Sequence, residues 1–146
     1  MKDYENALKL FTEGNSCSQS ILGAYGHRVG LDQAMASKMG SGLGGGIGRK
    51  QYICGAINAG AIILGLKYST GIEGDADSKN KVSEIVYKFT SECEKVLGSS
   101  QCFELLKVDL LNPIEKNAAK ESGHLDRICN NAVVQTGMIL EKYLQE

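Results

Sequence analysis

The chain contains little proline and no long hydrophobic run, and its charge is almost balanced. Only one of its 146 residues is proline, so the residue that most often interrupts helices is nearly missing. The longest apolar stretch, residues 59–66, is far shorter than the roughly 18 residues that span a membrane. The 16 basic and 17 acidic residues leave a net charge of −1. The composition therefore indicates neither a membrane protein nor one that binds nucleic acid.

The beginning of the chain does not have the pattern of a secretion signal. Residues 1–6 contain acids and lead directly into an amphipathic segment. We therefore expect a cytosolic, cytoplasmic protein, in which thiols stay reduced and permanent disulfides are rare. Five cysteines are present, and a framework made only of disulfides would leave one of them unpaired. Both observations favour redox or metal chemistry.

Glycine is abundant, with 18 residues, whereas an average chain has roughly 7% glycine. Hydrophobic spacing of three and four residues predicts helices that stop at glycines. The clearest are residues 3–13, a helix that starts near Cys17, residues 52–66, a helix capped by Ser78 that ends at Leu97, a short helix around Cys102, and a last helix from near Ser122. Pro113 is expected in an irregular connection. The sequence thus predicts one all-α domain over residues 1–146, a bundle of five or six helices.

The segment from Tyr52 to Leu66 is apolar almost all round, which is typical of a central buried helix. A loop of residues 40–48 precedes it and is too rich in glycine for a stable helix or strand. This loop fits the spacing G-x-G-x-x-G, but a helical pattern comes before it where a nucleotide-binding fold needs a strand. We interpret the loop as a set of backbone N–H groups that face an anion or a sulfur centre.

The residues expected to approach such a bound group are glycines, because they have no side chain to hold it away. They are Gly44, Gly45 and Gly46 in the loop and Gly55 at the start of the central helix. Arg49 and Lys50 follow the loop and either supply charge or form its exposed rim. His27 and His124 are expected at the surface.

Three cysteines, Cys17, Cys54 and Cys102, fall in the first turn of predicted helices. Unpaired N–H groups and the positive end of the helix dipole stabilise a thiolate there. The alternative for any one of them is a small buried hydrophobic residue, the commonest role of reduced cysteine. Three such positions on inward faces favour a shared role, and Cys129 lies on the apolar stripe of the last helix, within reach of the same interior point.

Cys93 differs from the other four. Glu92 and Glu94 flank it and would raise the pKa of its thiol. It also lies four residues from Phe89 on a stripe of core residues. We expect Cys93 to pack in the core.

No C-x-x-C pair occurs, which excludes the local signatures of zinc ribbons, bacterial ferredoxins, thioredoxins and c-type haem proteins. A site shared by several cysteines must therefore be assembled from distant helices, as the interior of a bundle allows.

Together these residues resemble the redox-active family that is named for its cysteine pattern, C_GCAxxG_C_C. The similar segments are residues 14–20 around Cys17, residues 41–49, Cys54-Gly55-Ala56, and the surroundings of Cys102 and Cys129. One departure is Ala59 at the closing glycine of the motif, with Gly60 next. The resemblance covers nearly the whole chain and implies a small redox protein with a prosthetic group such as an iron–sulfur cluster. Cys93 has no counterpart in the pattern.

The leading hypothesis is a small redox protein in which Cys17, Cys54, Cys102 and Cys129 converge. They would hold a [2Fe–2S] or [4Fe–4S] cluster and transfer electrons to or from a redox partner protein that the sequence does not identify. One alternative is a metal-free thiol–disulfide protein that uses the same cysteines. Another is a helical adaptor that binds a partner protein, either plain or stapled by zinc. A homodimer through an apolar helix face is compatible with the pattern, and no reaction or substrate is indicated.

Overall fold

The computed structural model describes residues 1–145, and they fold into helices. Within these residues there are eight α-helices: α1 (Asp3–Thr12), α2 (Cys17–Tyr25), α3 (Gln33–Gly40), α4 (Gly55–Tyr68), α5 (Ala76–Leu97), α6 (Cys102–Leu106), α7 (Pro113–Glu121) and α8 (His124–Leu144). The same residues contain no β-strand, and a single β-bridge joins Ile53 to Gln101. The all-α prediction is confirmed, but the expected number of five or six helices is wrong. Of the helices described, none is long and apolar enough to cross a membrane.

Helix α4 is the central buried helix that the sequence predicts after the glycine-rich loop. It packs against α2, α5 and α8, and Ile57, Ile63 and Leu64 are almost wholly buried. A Cβ atom added to Gly60 would lie 2.4 Å from Phe89 Cζ, so the missing side chain lets α5 pack closely. The helix begins three residues later than expected, because Ile53 is engaged in the bridge to Gln101.

Helix α7 is absent from the sequence prediction, which placed Pro113 in an irregular connection. Pro113 is instead the first residue of the helix, a position where the missing N–H group has no intrahelical partner to lose. The Asn112 side chain caps the helix by accepting hydrogen bonds from Ile114 N (3.0 Å) and Glu115 N (3.3 Å). The prediction was wrong here because proline can begin a helix as well as end one.

The start of α5 also differs from the prediction, which gave the cap to Ser78. The cap is Asp75, whose carboxylate accepts a hydrogen bond from Ser78 N at 3.1 Å. The Ser78 hydroxyl accepts instead from Thr70 N at 3.0 Å and so fixes the preceding loop.

The core is formed mainly by α2, α4, α5 and α8. Tyr25 is fully buried on α2, and its hydroxyl donates a hydrogen bond to Gly137 O on α8 at 2.7 Å. Cys93 is also fully buried in this core, on α5. The prediction that Cys93 packs in the core is confirmed.

Candidate functional site

A cavity of about 280 Å³ lies where α2, α4, α6, α7 and α8 come together. Four of the five cysteines are in its wall: Cys17, Cys54, Cys102 and Cys129. Most of the remaining wall is apolar, from Phe11, Leu105, Leu106, Leu110, Leu125, Ile128 and Ala132. The fold therefore brings to one cavity the four cysteines that are predicted to share a site, while Cys93 stays in the core.

Three of these cysteines lie at helix starts, as the sequence predicts. Cys17 is the first residue of α2, Cys54 is the N-cap of α4, and Cys102 is the first residue of α6. Just before Cys17, the Ser16 hydroxyl accepts from Gln19 N at 3.2 Å, and the Gln19 side chain accepts from Ser16 N at 3.0 Å. This capping box fixes the position at which α2 begins.

The sulfur of Cys17 is surrounded by hydrogen-bond donors. The Cys54 thiol is the strongest, and the backbone N–H groups of Ser18, Gly45 and Ala56 add to it. Together they outweigh the burial of the sulfur, which acts in the opposite direction, and they lower the pKa of Cys17 from 9.0 to about 7. Cys17 is therefore substantially a thiolate at neutral pH.

The pKa of Cys54 is shifted in the opposite direction. Its hydrogen bond to Cys17 holds the proton on Cys54 and raises the pKa of this thiol well above 9.0, and burial and the charge of Cys17 raise it further. When the pair holds a single proton, that proton therefore lies on Cys54 and the thiolate is Cys17.

The other two cavity cysteines are kept protonated by their surroundings. Burial, with the nearby charge of Cys17, raises the pKa of Cys102 to about 11. Burial is also the main cause that raises the pKa of Cys129 to about 12, and Cys17, Cys102 and Asp126 contribute. A bound cation would reverse these shifts.

The predicted glycines occupy two kinds of position. Gly45 and Gly55 line the cavity, and a Cβ atom on Gly55 would lie only 2.6 Å from Cys17 Sγ. Gly44 and Gly46 lie behind the wall, where an added Cβ would meet Ser16 Cβ at 2.9 Å and Tyr52 N at 2.5 Å, respectively. A side chain would not fit at any of the four positions, but only Gly45 and Gly55 face the sulfurs. The role of these glycines in binding a cofactor stays a prediction.

Two cations in the cavity wall were not predicted from the sequence. Lys116 and Lys120 are one turn apart on α7 and both line the cavity. They were overlooked because α7 itself was not predicted, although Asn112 before Pro113 is a recognisable helix start. Arg49 and Lys50, by contrast, are exposed on the loop, in agreement with the interpretation as an exposed rim.

The two histidines differ in position. His27 is exposed, and its Nε2 atom lies 3.0 Å from Asp3 Oδ1, which confirms the surface prediction. His124 is only partly exposed, and its Nε2–H donates to Leu106 O at 2.7 Å, at the end of α6. His124 thus lies partly exposed at the surface, and it also ties α6 to α8.

The four cysteines surround a volume and do not close on one point. Within residues 1–145, no three or more side chains of His, Cys, Asp or Glu form a group that could hold one metal ion. All five cysteines are free. The cavity can therefore be tested for a multinuclear group or for thiol chemistry, and the metal-ligand assignment of the four cysteines stays a prediction.

Comparison with known proteins identifies a family. The model of the family described as "putative redox-active protein (C_GCAxxG_C_C)" matches residues 15–143, nearly the whole chain. No significant match is found among curated proteins or among solved structures.

Proposed function

The chain belongs to the C_GCAxxG_C_C family, and on that premise we propose that it is an electron-transfer protein that holds an iron–sulfur cluster. One observation carries this proposal. Cys17, Cys54, Cys102 and Cys129 lie on four different helices and line a single cavity of about 280 Å³, from which Cys93 is excluded.

The donor set suits a cluster better than a single ion. Both [2Fe–2S] and [4Fe–4S] clusters take four cysteine thiolates, which are distributed around a core of several atoms. A structural zinc ion needs all four ligands about 2.3 Å from one point. The described residues contain no group that could hold one ion, so zinc would require the cysteine side chains to move together. The arrangement around a volume therefore favours the cluster.

The cluster, when bound, would accept and return one electron. The chain supplies the surroundings that set how readily this happens. The N–H groups of Ser18, Gly45 and Ala56 point at the Cys17 sulfur and stabilise negative charge on it. Hydrogen bonds to a ligating sulfur raise the reduction potential of such a centre.

The rest of the cavity wall has two further effects. Its apolar side chains, such as Leu106 and Leu110, exclude water from the sulfurs. Lys116 and Lys120 bring positive charge to a site where four thiolates would be negative. The positive charge of the two lysines offsets part of the cost of burying thiolates away from water.

Binding requires thiolates, and three of the four cysteines hold their protons in this structure. The pKa values of Cys54, Cys102 and Cys129 are all raised, so assembly would release their protons. We accordingly propose that loading is favoured by higher pH. We also propose that the protein works in the reducing cytosol and exchanges electrons with a partner protein.

The direct test is anaerobic purification of the chain, followed by iron, zinc and sulfide analysis and an absorption spectrum. The proposal expects iron and acid-labile sulfide in equal amounts and a visible absorption that decreases on reduction. Stoichiometric zinc without sulfide would support the structural adaptor instead. Reconstitution that yields neither iron nor sulfide would also overturn the proposal.

A second function is favoured by the Cys17–Cys54 pair, which is a thiolate beside a thiol. The Cys17 thiolate would attack a disulfide in a partner protein, and one partner sulfur would leave as a thiolate. Cys54 would pass its proton to that thiolate and attack the Cys17 sulfur, releasing the second partner thiolate. The pair loses two electrons and becomes a disulfide, while the partner gains two electrons.

Thiol titration distinguishes this function from the first. The metal-free chain would gain two thiols on mild reduction, and Cys54→Ser would trap the mixed disulfide on Cys17. A metal-free chain whose thiol count does not change between oxidising and reducing conditions would contradict the second function.

A further inference from the structure

Gln51 lies between the glycine-rich loop and Cys54, and it is 6% exposed. Its backbone has a φ angle of 61°, in the left-handed region that non-glycine residues seldom adopt. A buried polar residue held in such a conformation needs compensating contacts. Gln51 has them in both its backbone and its side chain.

The backbone of Gln51 joins the loop to α6. Its N–H donates to Gly45 O at 2.9 Å, and its carbonyl accepts from Phe103 N at 3.1 Å. Gly45 is also the loop residue whose N–H faces the Cys17 sulfur. The residue beside Phe103 is Cys102, so Gln51 connects the surroundings of two cavity cysteines.

The side chain of Gln51 reaches the segment that follows α6. Its Nε2 donates to Val108 O at 2.6 Å, and its Oε1 accepts from Leu110 N at 2.9 Å. One terminal group that both donates and accepts is what a primary amide offers. These two bonds hold residues 108–110 against the loop, and Leu110 is part of the cavity wall.

This segment needs an external tie because α6 is short. The helix has only five residues and is followed by Lys107, whose φ angle of 56° is again left-handed. On its other side, His124 binds Leu106 O. Cys102 itself is tied through its N–H, which donates to Tyr52 O at 2.6 Å. The Gln51 amide is the contact that continues this tie beyond the end of α6.

We infer that Gln51 is a positioning residue, which fixes the Cys102 wall of the cavity by joining the glycine-rich loop to residues 102–110. The inference deepens the proposed function of the four-cysteine cavity and rests on it. The geometry applies equally whether the cysteines hold a cluster or act as thiols, so it can be tested without any bound group.

Replacing Gln51 by Glu keeps the shape of the side chain but removes the N–H donor of the amide. A carboxylate still accepts from Leu110 N, but it has no proton to donate and would place an oxygen against Val108 O. Gln51→Ala removes both bonds. Gln51→Glu keeps the side-chain length, and it serves as the second variant if Gln51→Ala does not fold.

The test measures the alkylation of Cys102 by iodoacetamide in the full, reduced, metal-free chain, with each cysteine followed by peptide mass spectrometry. Cys93 is fully buried and serves as an internal reporter of global unfolding. Removing buried hydrogen bonds at one place opens it locally, so we expect the ratio of Cys102 to Cys93 modification to rise about tenfold in both variants.

Tyr25→Phe is the matched control, because it also deletes a buried hydrogen bond, from the Tyr25 hydroxyl to Gly137 O. Its ratio should equal that of the unaltered chain. An unchanged ratio in the Gln51 variants, or a parallel rise at Cys93, would overturn the inference. Since no metal is involved, this result is independent of the iron and sulfide analysis that tests the proposed function.

Discussion

The Cys54 thiol donates a hydrogen bond to the sulfur of Cys17, and this contact shifts the pKa values of the two neighbouring cysteines in opposite directions. It is the largest cause of the lowered pKa at Cys17 and of the raised pKa at Cys54. The relationship joins the start of α2 to the start of α4 inside a cavity that Cys102 and Cys129 complete. The thiol chemistry expected of the metal-free chain depends on it.

The pH dependence of Cys17 reactivity is the first consequence. In the reduced, metal-free chain, alkylation of Cys17 should rise with a midpoint near pH 7, the value to which its donors lower its pKa. In Cys54→Ala the strongest donor is lost, so the midpoint should move upward. Rates at several pH values, measured by mass spectrometry, check both statements. A midpoint near 9 in the unaltered chain would contradict them.

The same shift predicts how stability depends on pH. Between pH 7 and 9 the unfolded chain keeps a proton on Cys17 that the folded chain has released, so this group contributes stability that rises with pH. The contribution is lost as the pH falls through 7. The difference in unfolding free energy between the unaltered chain and Cys17→Ser should therefore grow from pH 7 to pH 9. Denaturant titrations of the metal-free proteins measure it, and a difference that stays constant or shrinks would refute the linkage.

We predict that a larger residue at position 55 lowers the stability of the protein, because the Cys17 sulfur leaves no room for a side chain there. Gly55→Ala would put a Cβ atom 2.6 Å from Cys17 Sγ and 3.1 Å from Leu43 O, and overpacking of this kind costs about 1–3 kcal/mol. We expect Gly55→Ala to lower the free energy of unfolding and to shift the pH midpoint of Cys17 alkylation.

Gly65→Ala is the matched control for this variant, in the same helix α4. An added Cβ there meets no atom within 4 Å, and alanine should stabilise the helix by up to about 1 kcal/mol. If the two variants are equally stable and both keep the Cys17 midpoint, the close approach at Gly55 has no consequence.

Helix α7 is predicted to close one side of the cavity. Asn112→Ala removes its cap, which should cost about 1 kcal/mol and increase the alkylation of Cys129. The control is Asp32→Ala, which removes the cap of α3, where Asp32 accepts from Met35 N at 2.9 Å. Helix α3 has no residue in the cavity wall. Equal Cys129 reactivity in the two variants would show that α7 does not protect the site.

The grouping of the four cysteines could be predicted because local signals point the same way. Cys17, Cys54 and Cys102 lie at helix starts, and Cys129 lies on an apolar stripe. A helix that is apolar all round, such as α4, must be central. The cysteine pattern of the family matches the same four residues and has no counterpart for Cys93.

Other features depend on contacts between distant residues. Nothing in the sequence separates Cys17 from Cys102, since both begin a helix. Cys17 becomes the thiolate because the fold brings it the Cys54 thiol and Gly45 N–H. The Gln51 side chain bonds to a residue 57 positions away, which no local pattern indicates.

The central claim is that four cysteines share one redox centre and that Cys93 takes no part in it. The most direct measurement compares iron content and visible absorption of Cys54→Ser and Cys93→Ser after anaerobic purification and reconstitution. We expect Cys54→Ser to lose the absorption and the iron, while Cys93→Ser keeps both. Equal loss in the two variants, or equal retention, would contradict it.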